Sequence, residues 1–224
     1  VIDGSNDLSV TLPAGRELWG KCDVVLALGT RCQTAQMQWG VDDKMQIIHI
    51  DIDEEEIGRI TEPALGINAD LKDVLPLLWK GIEGKEKNRN DWLKVVKNTK
   101  DKYSKLFEEK LSPQLAWLNA IRAELPKDGI FVDELTQVGY VSRFAFQSYL
   151  PRTFLSTGYQ GTLGWGFATA LGAAHARRDV PVVSISGDGG ALYTISELAT
   201  AARHNIPITA VIFNDNAFGN VRRF

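Results

Sequence analysis

Four short runs of apolar, β-branched residues stand out along the chain: Val24 to Leu28, Ile47 to Ile50, Val182 to Ile185 and Ile208 to Phe213. Each is apolar at nearly every position. That suits strands covered on both faces, as in a parallel sheet, and the sequence between them has room for crossover helices. The first pair lies in roughly residues 1–80 and the second in roughly 113–224. The pattern predicts two α/β regions with parallel strands.

Between them, Gly81 to Lys110 is dense in Lys, Glu, Asp and Asn. Its apolar residues Trp92, Leu93, Val96, Tyr103, Leu106 and Phe107 recur at near-helical spacing. This predicts a charged helical connector, residues 81–112, with one packed stripe. A new helix is predicted from Ser112-Pro113, with Ser as N-cap and Pro in the first turn. It runs through Leu115, Leu118, Ile121 and Leu125 and stops before Pro126.

Composition narrows the function classes. The chain is 44% hydrophobic and 24% charged with a net charge of −3, so nothing favours nucleic acid or an anionic membrane surface as a partner. No apolar run approaches the roughly 18 residues that span a bilayer. Two cysteines, Cys22 and Cys32, fit neither a CxxC motif nor a zinc framework. Reduced thiols in a cytoplasmic protein are the expectation.

The chemistry is concentrated between Val182 and Asn216. A strand ends at Ser186 and meets Gly187-Asp188-Gly189-Gly190. A helix is predicted next, with Leu192, Ile195, Leu198, Ala199 and Ala202 on one apolar face, ending near His204-Asn205. The following strand runs into Asn214-Asp215-Asn216. In a parallel βαβ unit both strand ends emerge on one edge of the sheet, so Asp188 and Asp215 are expected to be neighbours. Glycines let the backbone approach an anion closely. The free N–H groups of Gly190 and Ala191 are expected to open the helix, whose dipole favours negative charge. The oxygen donors suit Mg²⁺ bridging carboxylates and phosphates. The loop has no Lys, so it is not a P-loop.

A GDG followed, after a helix-length spacer, by an Asn-Asn or Asn-Asp pair resembles the thiamine diphosphate motif of the acetolactate synthase, pyruvate oxidase and benzoylformate decarboxylase superfamily. The resemblance implies thiamine diphosphate and Mg²⁺ as cofactors. The implied metal ligands are Asp188, Asp215 and the carbonyl of Ala217; Asp215 stands where most relatives have Asn. Gly158 to Ala173 resembles the family's glycine-rich stretch. There Gly161 would offer a carbonyl to the cofactor's amino group, and Leu163 would wedge the cofactor into its bent shape. Thr136 and Gln137, after the strand beginning at Phe131, occupy the places of diphosphate-binding side chains, although the common Gly-Gln-His version is not kept.

The N-terminal segments Cys22 to Arg31 and Ile47 to Asp53 resemble the family's middle domain. The implied fold is α/β, with two Rossmann-like parallel-sheet domains, both incomplete: a middle domain over 1–80 and a diphosphate-binding domain over 113–224. The middle domain binds FAD in some members. Here no GxGxxG is present, and Cys32-Gln33-Thr34-Ala35 replaces Phe-Asp-Asp-Arg, so a flavin site and a purely structural role both stay open.

The implied activity is decarboxylation and carboligation of a 2-keto acid in a homodimer or homotetramer. The activating glutamate would lie in a domain outside these residues, so no catalytic residue is assigned here and the segment alone would be inactive. Another 2-keto acid decarboxylase or lyase is a second reading, and a non-catalytic nucleotide-binding or interaction segment a third. His49, His175 and His204 share no metal or triad spacing. Glu197 falls off the apolar helix face, and Arg222 and Arg223 could line the site mouth or sit on the surface.

Overall fold

The computed structural model describes residues 3–85, 87–158 and 160–219. Two compact units are present. One comprises residues 12–101; the other comprises residues 3–11 together with 102–219. Arg222 and Arg223 lie outside the described residues.

The first unit begins with α1 (Leu12–Trp19) and carries three parallel strands, β1 (Val24–Leu28), β2 (Gln46–Asp51) and β3 (Leu65–Asn68), in that order across the sheet. Helix α2 (Leu71–Ile82) follows, its first turn capped by the Asp70 carboxylate, which accepts from the Lys72 N–H. Ala27, Met45 and Ile47 form the core, with Trp19 and Cys22 packed against it. Strand β1 was expected to be covered on both faces. It is instead an edge strand that alternates, with Val24 and Leu26 exposed at 52% and 47% while Ala27 is buried. His49 is buried and its Nε2 lies 2.9 Å from the Thr30 carbonyl, a satisfied core histidine rather than a ligand.

Helix α3 (Asn90–Glu124) is interrupted at Leu111, whose φ of −129° and ψ of 18° are not helical. The chain therefore breaks one residue before the predicted N-cap at Ser112. The helix resumes across Pro113, where a missing N–H costs nothing in a first turn. Leu118 and Leu125 are buried as the spacing predicts.

The second unit continues with β4 (Ile130–Val132), α4 (Gln137–Ala145), β5 (Phe154–Leu155), α5 (Trp165–Ala176), β6 (Val182–Gly187), α6 (Asp188–Thr194), α7 (Leu198–Arg203) and β7 (Thr209–Phe213). The strands are parallel, in the order β5-β4-β6-β7. The two-residue period divides the core into layers. Phe131 and Ile185 pack with Leu118, Leu125, Val138, Val141 and Phe146 on one face. Ile130, Val132 and Val182 pack with Ala170 and Ala174 of α5 on the other. Phe131 stacks on Phe146 at 4.0 Å between ring centroids. Full burial of such a side chain is worth about 1.5–3 kcal/mol, so this layer anchors the strand end from which the site is built.

The helix predicted after the glycine loop differs in two ways. It is split by a 3-10 turn at Ile195–Glu197. Its supposed apolar face is not the buried one: Leu192 is 74% exposed and Leu198 48%, whereas Ala201 is buried. The break at Thr194 rotates α7 relative to α6, so a single helical period carried across both misplaces the inward face. No described helix is long and apolar enough to cross a membrane.

Candidate cofactor site

Gly187 ends β6 and Phe213 ends β7, and the two are register partners. The residues after them, Asp188 and Asn214-Asp215, therefore leave the same edge of the sheet side by side. They open into a cavity of about 460 Å³. Gly187, Asp188, Gly189 and Gly190 form one part of its wall, and Asn214, Asp215 and Ala217 another. Thr136, Gln137 and Leu163 complete the set of expected residues that reach it. Gly161 does not line the cavity; it is exposed and lies against Leu135. Ala191 is also off the wall, buried behind it.

Helix α6 starts earlier than the sequence suggests, with Gly187 as N-cap and Asp188 as first residue. The N–H groups without an intrahelical partner are thus those up to Gly190, and Ala191 falls in the bonded part of the helix. A second helix start, at Thr136 and Gln137 of α4, lines the same cavity. Two helix N-termini meet this space and offer unpaired N–H donors to an anion without a lysine, while the Asp188 and Asp215 carboxylates on the same wall call for a cation.

Two of these glycines leave no room for a Cβ unless a neighbouring side chain moves. A Cβ on Gly189 would fall 2.4 Å from the Phe218 ring, and one on Gly190 would fall 2.4 Å from Oε1 of Glu134. Asp215 is exposed, and its Oδ1 accepts the Ala217 N–H at 3.1 Å; among the described residues no hydrogen bond or ion pair engages Oδ2. Asn214 is used locally, its Oδ1 accepting the Asn216 N–H at 2.9 Å. Among the described residues no three His, Cys, Asp or Glu side chains converge as a metal cluster. The candidate cation donors are therefore two carboxylates and main-chain oxygen.

Several residues of this region carry no sequence signal of a place in the site. Trp117, Gln114 and Pro113 of α3 line the cavity, with Trp117 edge-on to Phe213 at 5.8 Å. Glu134 is wholly buried behind the wall, and so is its neighbour Asp133. Asp133 pairs with Arg143 at 3.0 Å and accepts from the Ser156 hydroxyl at 3.1 Å. Burial nevertheless outweighs these partners and raises its carboxyl above the ordinary value of 3.8. Glu197 is exposed and accepts from the Thr200 hydroxyl, and His175 and His204 are exposed on the same unit, none of them at the cavity.

Comparison with known proteins fits this geometry. The central domain of thiamine pyrophosphate enzymes matches residues 4–78, and their C-terminal TPP binding domain matches residues 136–224. The chain belongs to the thiamine pyrophosphate enzymes. Among its relatives is a probable acetolactate synthase large subunit of Methanocaldococcus jannaschii, 34% identical over 214 residues, which make up 90% of this chain and 36% of that protein. The acetolactate synthase isozyme 1 large subunit of Escherichia coli is 31% identical over 180 residues, 80% of this chain and 32% of that one. A probable 2-ketoarginine decarboxylase of Pseudomonas aeruginosa is 29% identical over 217 residues, 96% of this chain and 39% of that one. This thiamine pyrophosphate enzyme chain thus spans about a third of the length of these relatives.

Proposed function

We propose that this chain supplies the diphosphate- and Mg²⁺-binding part of an acetolactate synthase-like enzyme that cleaves and forms C–C bonds on a 2-keto acid. The observation that carries this reading is the placement of Asp188 and Asp215 on one cavity beside two helix starts. Asp188, Oδ2 of Asp215 and the Ala217 carbonyl would hold the metal. The open N–H groups up to Gly190, with Thr136 and Gln137, would hold the diphosphate. Leu163 would support the bent cofactor; Gly161, which lies off the cavity wall, would have to move to accept from its amino group. When bound, thiamine diphosphate supplies the nucleophilic carbon and the electron sink for decarboxylation. This chain's residues bind and orient it; none is assigned the activating proton transfer, and buried Glu134 does not reach the cavity.

The domain limits at 1–80, 81–112 and 113–224 belong to this reading, as does assembly into a homodimer or homotetramer. So does a cytoplasmic location: Cys22 and Cys32 are free thiols, and burial pushes both above their ordinary value, which leaves them protonated and slow to react. Flavin is outside this reading: Gly29, directly after β1, has a φ of +55°, a conformation that favours glycine whether or not a dinucleotide approaches it.

Calorimetric titration with thiamine diphosphate and Mg²⁺ tests the site. Binding to the wild type that Asp188→Ala weakens by about tenfold or more is the expected result, and a non-catalytic interaction segment would show no such dependence. A second substrate reading is favoured by the decarboxylase relative, whose match extends over 96% of the chain. Product analysis on the native oligomer with pyruvate and with 2-ketoarginine separates the two: acetolactate supports the first, an aldehyde and CO₂ from 2-ketoarginine the second.

A further inference from the structure

Glu134 is fully buried, yet the neighbouring cation, Arg143, pairs with Asp133 instead. Its two oxygens are engaged separately. Oε2 accepts the Ser186 hydroxyl at 2.6 Å, and Oε1 accepts the N–H of Gly164. Glycines close the space around it: a Cβ on Gly166 would lie 2.9 Å from Oε2, and one on Gly190 2.4 Å from Oε1. Burying a carboxylate this way costs free energy that an apolar side chain would avoid.

The two anchors belong to different parts of the site. Ser186 immediately precedes Gly187 and the anion-facing loop. The Gly164 N–H belongs to the peptide that joins it to Leu163, which lines the cavity. One side chain therefore spans the gap between the loop and the peptide carrying Leu163. The loop is held independently by the β6–β7 ladder and by α6. Residues 160–164 lie in no helix or strand, so their place depends on such single bonds.

We propose that Glu134 is a positioning residue that fixes Leu163 against the cavity relative to the Gly187–Gly190 loop. This deepens, and rests on, the reading that the cavity takes thiamine diphosphate. The role requires two hydrogen-bonding atoms at a set reach, not a charge. Glutamine keeps it: its oxygen accepts from Gly164 while its NH₂ donates to the Ser186 hydroxyl, which can accept as well as donate. Aspartate keeps the charge but is one methylene too short to reach both partners.

The test is calorimetric titration of wild type, Glu134→Gln, Glu134→Asp and Asp188→Ala with Mg²⁺ and thiamine diphosphate, and separately with Mg²⁺ and inorganic pyrophosphate. Hydrogen exchange at the Gly164 amide is followed in parallel. Loss of one well-placed hydrogen bond corresponds to about a tenfold weakening, and this is expected for thiamine diphosphate with Glu134→Asp. Pyrophosphate, which needs only the loop, should stay within about twofold, and Glu134→Gln should stay within about threefold for both ligands. The Gly164 amide should exchange slowly in wild type and Glu134→Gln and quickly in Glu134→Asp. Equal loss of both ligands in Glu134→Asp, or a Gln variant no better than Asp, overturns the proposal. If Glu134→Asp does not fold, Ser186→Ala removes one anchor and must show the same ligand split in smaller measure. A wild type that binds no thiamine diphosphate overturns the cofactor reading and, with it, the role given to Leu163; a wild type that binds while the split is absent overturns the positioning role alone.

Discussion

Gly187 and Phe213 face each other as the last residues of two adjacent parallel strands. That one pairing makes neighbours of Asp188 and Asp215 across the length of two helices. Asp188→Ala should weaken the Mg²⁺-thiamine diphosphate complex by about ten- to a hundredfold, the scale of losing a charged contact. Asp215→Asn should weaken it less, by about three- to tenfold, because its single oxygen can still coordinate once the amide turns and gives up the Ala217 N–H. Removing Mg²⁺ with a chelator should bring the wild type down to the Asp188→Ala level. Calorimetry with both variants checks this; equal effects of the two substitutions would move the metal away from Asp188.

Trp117 offers a spectroscopic handle. Its ring is 56% exposed, lines the cavity and meets Phe213 edge-on. Cofactor entering the cavity should change the surroundings of this indole, giving a saturable change in tryptophan emission. Trp117→Phe should remove most of that signal while leaving the calorimetric affinity within about threefold, since apolar contact is retained.

Gly139 and Gly172 should respond oppositely to alanine. A Cβ on Gly139 would fall 1.8 Å from the Glu134 carbonyl oxygen, a main-chain atom that cannot turn aside. Gly139→Ala should therefore cost at least about 1–3 kcal/mol, the range for overpacking. Gly172, exposed on α5, has nothing within 4 Å of its Cβ position. Gly172→Ala should stabilise by about 0.4–1 kcal/mol by restricting the unfolded chain. Denaturant unfolding of the two variants side by side measures the contrast.

Asp133 should imprint a pH dependence on stability. Its folded carboxyl is raised above 3.8, chiefly by burial, so the folded state holds the proton more tightly than the unfolded chain. The stabilisation from this proton is complete below 3.8 and is lost as pH rises through the raised folded value. Asp133→Asn removes the titrating group. The stability of wild type minus that of the variant should fall as pH is raised from 3.8. Urea midpoints collected across that range provide the readout, and a difference that stays level would contradict the assignment.

Much of this arrangement is legible in the chain alone because its signals are dense. Val182 to Ile185 and Ile47 to Ile50 are apolar at almost every position, and the β6–β7 motif joins glycine, carboxylate and strand end in one short stretch. Other parts carry little local signal. Strand β5 has only two residues, Phe154 and Leu155, too few to show a period. Strand β3 has Gly66 and Asn68 among its four, a composition typical of turns. Glu134 draws no attention in the chain because its partners, Gly164 and Ser186, are distant in sequence and become neighbours only once the sheet forms. Leu192 misleads for the converse reason: the 3-10 turn at Ile195–Glu197 breaks the helical phase on which its inward placement depends.

Residues 3–11 group with 102–219, and the Gly4 N–H donates to the Ser148 carbonyl at 2.8 Å. During synthesis the opening segment must therefore wait, undocked, while all of 12–101 emerges from the ribosome and its acceptor is made. Residues 12–101 are thus made whole before the two pieces of the other unit, 3–11 and 102–219, can join. A pause in translation after Asp101 would favour that order of assembly.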